Sequence, residues 1–128
     1  MKAELAYIRN DIAYGLVTNY ICDLKSREPP CKESSKPEYY EWSSAKSAAE
    51  TILERILDGF DPVVVVEDYA AQMDYFSEIA SEAGNYDTSM MFAIGSDVAT
   101  DLLQLFYKYD IYYEEDYYNE QRYYISNG

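Results

Sequence analysis

Histidine is absent from the 128 residues. That removes the histidine general base, the Ser-His and Cys-His nucleophile pairs, the HExxH zinc site and the Glu-x-x-His pairs of di-iron helices. Cysteine is scarce, with only Cys22 and Cys31. Two are too few for a disulfide-rich secreted scaffold. Cys22 reads most simply as a small buried hydrophobe, and no further ligand stands near Cys31 to make it a metal site or a nucleophile. The five glycines, at 15, 59, 84, 95 and 128, form neither GxGxxG nor GxxxxGK[ST], so no phosphate-cradling loop is encoded. No DxDxDG calcium spacing occurs. The longest aliphatic run is Val63 to Val66, far short of a membrane span. Charges interrupt the first fifteen residues, MKAELAYIRNDIAYG, which lack the continuous apolar stretch of a secretory signal. A cytoplasmic protein with no membrane association, no metal, no cofactor and no catalytic activity is expected.

The most telling scarcity is of positive charge. The formal net charge is −14, which makes polyanionic partners such as nucleic acid or an anionic membrane unfavourable and basic ones favourable. The imbalance is regional. Residues 1–55 carry eight Lys or Arg against nine acids and are nearly balanced. Residues 56–107 carry no Lys or Arg at all and ten acids: Asp58, Asp61, Glu67, Asp68, Asp74, Glu78, Glu82, Asp87, Asp97 and Asp101. Residues 108–128 add two basic residues and five acids.

What is present is helical pattern. Leu5, Ile8, Ile12, Leu16, Tyr20 or Ile21, and Leu24 recur at three- and four-residue steps, which predicts a first helix over 2–26. Residues 27–42, REPPCKESSKPEYYEW, hold three of the four prolines and almost no aliphatic side chains, and so read as a long loop. A second helix is expected over 44–58, capped by Ser43 or Ser44. Its inner face comprises Ala45, Ala48, Ala49, Ile52, Leu53, Ile56 and Leu57, and Gly59 supplies the left-handed residue after its end. Asp61-Pro62 has the form of an N-cap followed by proline at the first helical position. Four valines then favour strand by propensity, but the pattern through Ala83 is helical. Val65, Tyr69, Met73, Phe76, Ile79, Ala80 and Ala83 fall on one side of the wheel, and Gly84 closes it. One helix over 62–83 is expected, with a short strand at 63–66 as the alternative. A fourth, over 88–109, has Asp87 or Thr88 as cap and Met91, Ile94, Val98, Leu102, Leu105 and Tyr109 as its stripe. The tail, 110–128, has no clean period. It allows either paired strands turning near Asn119-Glu120 or a helical extension. The expected architecture is a mainly α, four-helix bundle-like single domain with a small C-terminal β-hairpin or helical extension as its variation.

On the third helix, Glu67, Asp74, Glu78 and Glu82 lie within about 80° of one another, opposite Phe76. Asp74, Glu78 and Glu82 are four residues apart, about 6 Å along the axis, close to the spacing of neighbouring phosphates on a nucleic-acid strand. Like charges so placed destabilise a helix by a few tenths of a kcal/mol per pair. A merely solvated face would mix in lysine. The tail adds Tyr112, Tyr113, Glu114, Glu115, Asp116, Tyr117 and Tyr118, and residues 107–128 hold eight of the 16 tyrosines. Tyrosine is a rigid, amphipathic interface side chain whose ring attracts Arg and Lys. Half of these tyrosines are expected to pack on the bundle instead. The candidate partner-binding set is Glu67, Asp68, Asp74, Glu78, Glu82, Asp97, Asp101 and the seven tail residues from Tyr112 to Tyr118.

In size, acidity and charge layout the chain resembles the anti-CRISPR and antirestriction nucleic-acid mimics of phages and mobile elements. The likeness covers composition rather than alignable motifs, so no residue role comes with it. It implies binding to the basic groove of a host defence nuclease, a CRISPR effector or a restriction enzyme, and exclusion of its nucleic acid. An immunity or antitoxin protein for a basic nuclease toxin has the same physics, and a non-catalytic helical adaptor is the third possibility. Exposed tyrosines and an alternating apolar tail also allow a homodimer.

Overall fold

The computed structural model describes residues 2–30 and 37–111, with side chains described from residue 10 onward. Four helices account for these residues: α1 (Lys2–Ser26), α2 (Pro37–Leu57), α3 (Pro62–Glu82) and α4 (Tyr86–Lys108). The expected mainly α, bundle-like domain is therefore present, and no strand occurs among the described residues. The 63–66 valines are helical. Cys31 and the expected hairpin or extension beyond residue 111 lie outside the described residues.

The ends of the helices are set by local chemistry. α2 stops at Gly59, whose φ of 98° admits the left-handed turn, with the Gly59 amide donating to the Ile56 carbonyl at 3.0 Å. Asp61 caps α3, its Oδ1 accepting from the Val63 and Val64 amides at 3.0 and 3.2 Å, and Pro62 takes the first helical position. Gly84, φ 79°, follows the end of α3. α4 is capped by Asn85 rather than by Asp87 or Thr88: its side chain accepts from the Thr88 amide at 3.4 Å. Past α4, Asp110 takes a left-handed φ of 61°, and the Ile111 amide returns to the Phe106 carbonyl at 2.8 Å. This turn drives Ile111 into the core, where it is 1% exposed.

One boundary departs from expectation. α2 begins at Pro37, not after Ser43 or Ser44, so residues 37–42 of the expected 27–42 loop are helix. Proline is well placed at a first helical position. The turn that follows is held by tertiary contacts: the Trp42 indole N–H donates to the Leu24 carbonyl at the end of α1 (2.6 Å), and the Tyr40 hydroxyl donates to the Asp87 carbonyl at the start of α4 (2.6 Å). Tyr39 packs against Trp42 with ring centroids 5.6 Å apart.

Those contacts also fix the topology. The start of α2 lies beside the end of α1 and the start of α4. α1 thus runs antiparallel to α2, and α2 runs parallel to α4. The α3–α4 pair is the most extensive, α1–α2 and α2–α4 follow, and α2 meets α3 sparingly. The core takes Ala13, Val17, Ile21 and Leu24 from α1 and Ala48, Ala49, Ile52 and Ile56 from α2. It adds Val63, Val65, Val66 and Tyr69 from α3, and Val98, Ala99, Leu102 and Phe106 from α4. Burying a side chain the size of Leu102 or Phe106 stabilises by about 1.5–3 kcal/mol.

Several expected core positions are not in the core. Ile12, Leu57, Phe76, Ile79, Ala83, Met91 and Tyr109 are exposed. On α1 the fully buried line is Ala13–Val17–Ile21–Leu24, and Leu16 and Tyr20 are partly buried against the same core. Cys22, one residue beyond buried Ile21, points outward as a free thiol, contrary to its expected burial.

Candidate functional surface

α3 is aimed by its inner side. Val66, Tyr69 and Ala80 are buried, and Tyr69 and Met73 lie where a side chain on Gly95 of α4 would stand, at 3.4 and 3.2 Å. α4 therefore covers the side of α3 that carries these residues. Ser77 and Ser89 clasp the two helices near the turn that joins them: each hydroxyl donates to the other residue's carbonyl at 2.9 Å, and the two oxygens are 3.0 Å apart. Glu67, Asp74 and Glu78 fall about 100–140° around α3 from that contact line, and Glu82 follows one turn after Glu78. All four are exposed, as is Asp68. The structure thus brings Glu67, Asp74, Glu78 and Glu82 into one outward row.

Among the described residues the row has no ion-pair partner. The ion pairs Arg27–Asp23 (2.7 Å) and Lys46–Glu50 (3.2 Å) both lie outside residues 56–107. Among the described residues, no basic side chain comes within ion-pair distance of Asp68, Asp74, Glu78 or Glu82. Glu67 alone is tethered, accepting a long hydrogen bond of 3.4 Å from the Tyr107 hydroxyl of α4. Among the described residues no group of three or more ligating side chains converges on a metal position. The chemistry left to such a row is electrostatic: a fixed line of carboxylates at about 6 Å intervals, open to cationic groups.

Asp97 and Asp101 do not join it. Gly95 faces α3, and Asp97, two residues on, lies about 160° around α4 from it. Asp101, one turn further, sits against the Tyr20 hydroxyl of α1. Burial raises the Tyr20 pKa first, and the neighbouring Asp101 charge raises it further, while Arg27 opposes both. That corner therefore mixes charges, and α1 makes little contact with α3. Tyr112, Tyr113, Glu114, Glu115, Asp116, Tyr117 and Tyr118 lie outside the described residues.

The sequence pattern did not reveal an apolar strip beside the acidic row. Tyr75 (61% exposed), Phe76 (42%) and Ile79 (45%) line α3, which α2 meets only sparingly, and Met91 (38%) is exposed on α4. Phe76 rests on Phe92 with ring centroids 5.5 Å apart, and Tyr75 rests on Phe76 at 5.8 Å. The available signal was the width of the apolar face of α3, which exceeds what one neighbouring helix covers.

No helix among the described residues is long and apolar enough to cross a membrane. No family model matches the chain, and neither a curated protein nor a solved structure resembles it significantly.

Proposed function

We propose that this protein is a non-catalytic inhibitor. Its acidic surface would occupy a basic groove built for nucleic acid on a host defence nuclease, a CRISPR effector or a restriction enzyme, and deny DNA or RNA access. The observation that carries this reading is the outward row Glu67, Asp74, Glu78 and Glu82, within a 52-residue span containing no Lys or Arg. Mutual repulsion along the row costs stability that a single interspersed lysine would recover. A surface kept acidic at that cost is suited to a cationic groove, where desolvation and paired charge turn the repulsion into binding energy.

The reading is tested by competition. Purified CRISPR effectors and restriction enzymes are incubated with the protein and then with labelled target DNA at low and high salt. The expected result is loss of DNA binding by one of them at low salt, relieved as salt rises. Reversing Asp74, Glu78 and Glu82 together to Lys is expected to abolish the competition while leaving the helical spectrum intact. A folded triple variant that competes as well as the parent removes α3 from the binding surface. Failure of every nuclease to respond removes the mimic reading itself.

A further inference from the structure

We propose that the Tyr75–Phe76–Ile79 strip of α3, with Phe92 and Met91 of α4, is a docking groove for a basic amphipathic helix of a partner protein. The proposal names the contact rather than the partner's activity, and it stands whether or not that partner is a nuclease.

Three observations converge. The strip is open because, among the described residues, α4 is the one helix that packs extensively on α3, and α2 meets α3 only sparingly. Val65 and Tyr69, on the same side of α3 but nearer its start, are buried at 5% and 8%, whereas Phe76 and Ile79 are 42% and 45% exposed. The strip is also ordered in advance. The Tyr75–Phe76 and Phe76–Phe92 contacts join three aromatics through tilted rings, and the antiparallel α3–α4 pair gives the strip two walls. Facing helices with aromatic and methionine side chains form the groove in which a helix seats anchors at three- and four-residue steps, and methionine adapts to the shape that enters.

The rim selects the occupant. Glu82 and Glu78 lie about 20° and 60° around α3 from Tyr75, Asp68 precedes Tyr75 by two turns, and Asp87 precedes Met91 by one turn on α4. All four are exposed, and no Lys or Arg occurs between Arg55 and Lys108. A second copy of this chain would bring the same acids to the same rim, and their repulsion opposes self-association. A helix with an apolar stripe flanked by Lys and Arg satisfies both the strip and the rim.

The probe is a fluorescein-labelled synthetic helix of about 15 Leu and Lys residues in amphipathic order. The comparison peptide has the same composition in an order that spreads the leucines around the helix. Anisotropy titrations are run with the full chain in about 0.1 M and about 0.5 M NaCl. The amphipathic peptide is expected to bind about tenfold more tightly than its scrambled counterpart at both salts, since apolar burial is not screened. The double variant Phe76→Ser with Ile79→Ser removes half-exposed side chains outside the buried core, so its helical spectrum is expected to persist, and it should abolish that preference. Equal binding of the two peptides, or an unchanged preference in the double variant, overturns the proposal. So does sedimentation showing a parent dimer that Ile79→Ser converts to monomer, because a second copy then fills the groove. No nuclease enters this assay, so its failure is distinct from failure of the inhibitor reading.

Discussion

If the acidic row on α3 is held against its own repulsion, placing one lysine in it must stabilise the fold. Glu78 is the decisive position, because it has Asp74 one turn before it and Glu82 one turn after it, and all three are exposed. Each like-charge pair at this spacing is unfavourable by about 0.2–0.5 kcal/mol, and an opposite-charge pair is favourable by a similar amount. Glu78→Lys converts two pairs, so the change is about 0.4–1 kcal/mol per pair and about 1–2 kcal/mol in all. Glu and Lys have nearly equal helix propensity, so the backbone adds little. A cation near the C-terminus of α3 adds a few tenths of a kcal/mol through the helix dipole. The net charge moves only from −14 to −12, a two-unit change, so general relief of repulsion is minor. For a chain of this size the gain corresponds to a rise in Tm of about 3–8 °C, read by circular dichroism at low ionic strength. Glu78→Gln, which removes repulsion without adding attraction, should give about half. At about 1 M NaCl, where the screening length falls to about 3 Å, both gains should vanish. A lysine variant no more stable than the parent at low salt refutes the claim that the row is strained. A gain that survives high salt would trace the stabilisation to something other than charge.

Other consequences follow from particular contacts. Gly15→Ala should stabilise by about 0.5–1 kcal/mol in urea unfolding, since it is a mid-helix glycine with open space around it; Gly95→Ala should give less or reverse sign, because its new methyl meets Met73 at 3.2 Å and Tyr69 at 3.4 Å. Phe106→Ala, at a fully buried position, should cost about 3–5 kcal/mol, a large share of a domain's stability, visible as a collapse of the urea midpoint. Tyr20 and Tyr69 have pKa values raised by burial above the ordinary 10, so the folded state holds their protons more tightly than the unfolded chain. Their contribution is complete below pH 10 and is lost as pH rises through the folded-state values. The parent should therefore lose stability above about pH 10, and Tyr20→Phe with Tyr69→Phe should flatten that decline in denaturation run across alkaline pH.

The helix ends were legible wherever the signal is local. Asp61-Pro62, Gly59 and Gly84 each specify their own backbone geometry, and the structure uses all three as their chemistry demands. The start of α2 was not legible because PEYYEW has no aliphatic periodicity. Its helix is held by partners remote in sequence, through Trp42 to Leu24 and Tyr40 to Asp87. On α1 the periodicity found Ile21 and Leu24, which are buried, and Leu16 and Tyr20, which pack on the core, but it erred at Ile12, which is exposed while its small neighbour Ala13 faces inward. Periodicity weights large aliphatics and passes over alanine. The acidic row on α3 was recoverable because helical phase alone puts its members together. The separation of Asp97 and Asp101 was not, because it depends on which side of α4 meets α3.

The misassignment of Phe76 and Ile79 bears most directly on function. A sequence pattern reports how much apolar face a helix carries, not how far its neighbours extend along it. On α3 the same side runs from Val65 and Tyr69 to Phe76 and Ile79, but the first two are buried and the last two exposed, and α2 meets α3 only sparingly. Solubility accounts for exposed acids at that end, yet it gives no reason to leave aromatics beside them. A packing defect accounts for exposed aromatics, yet it gives no reason to exclude every lysine for 52 residues. A face that meets something cationic and partly apolar requires both features in one place. The two separate by experiment: charge reversal of Asp74, Glu78 and Glu82 should remove the salt-dependent part of binding, and Phe76→Ser with Ile79→Ser the salt-resistant part.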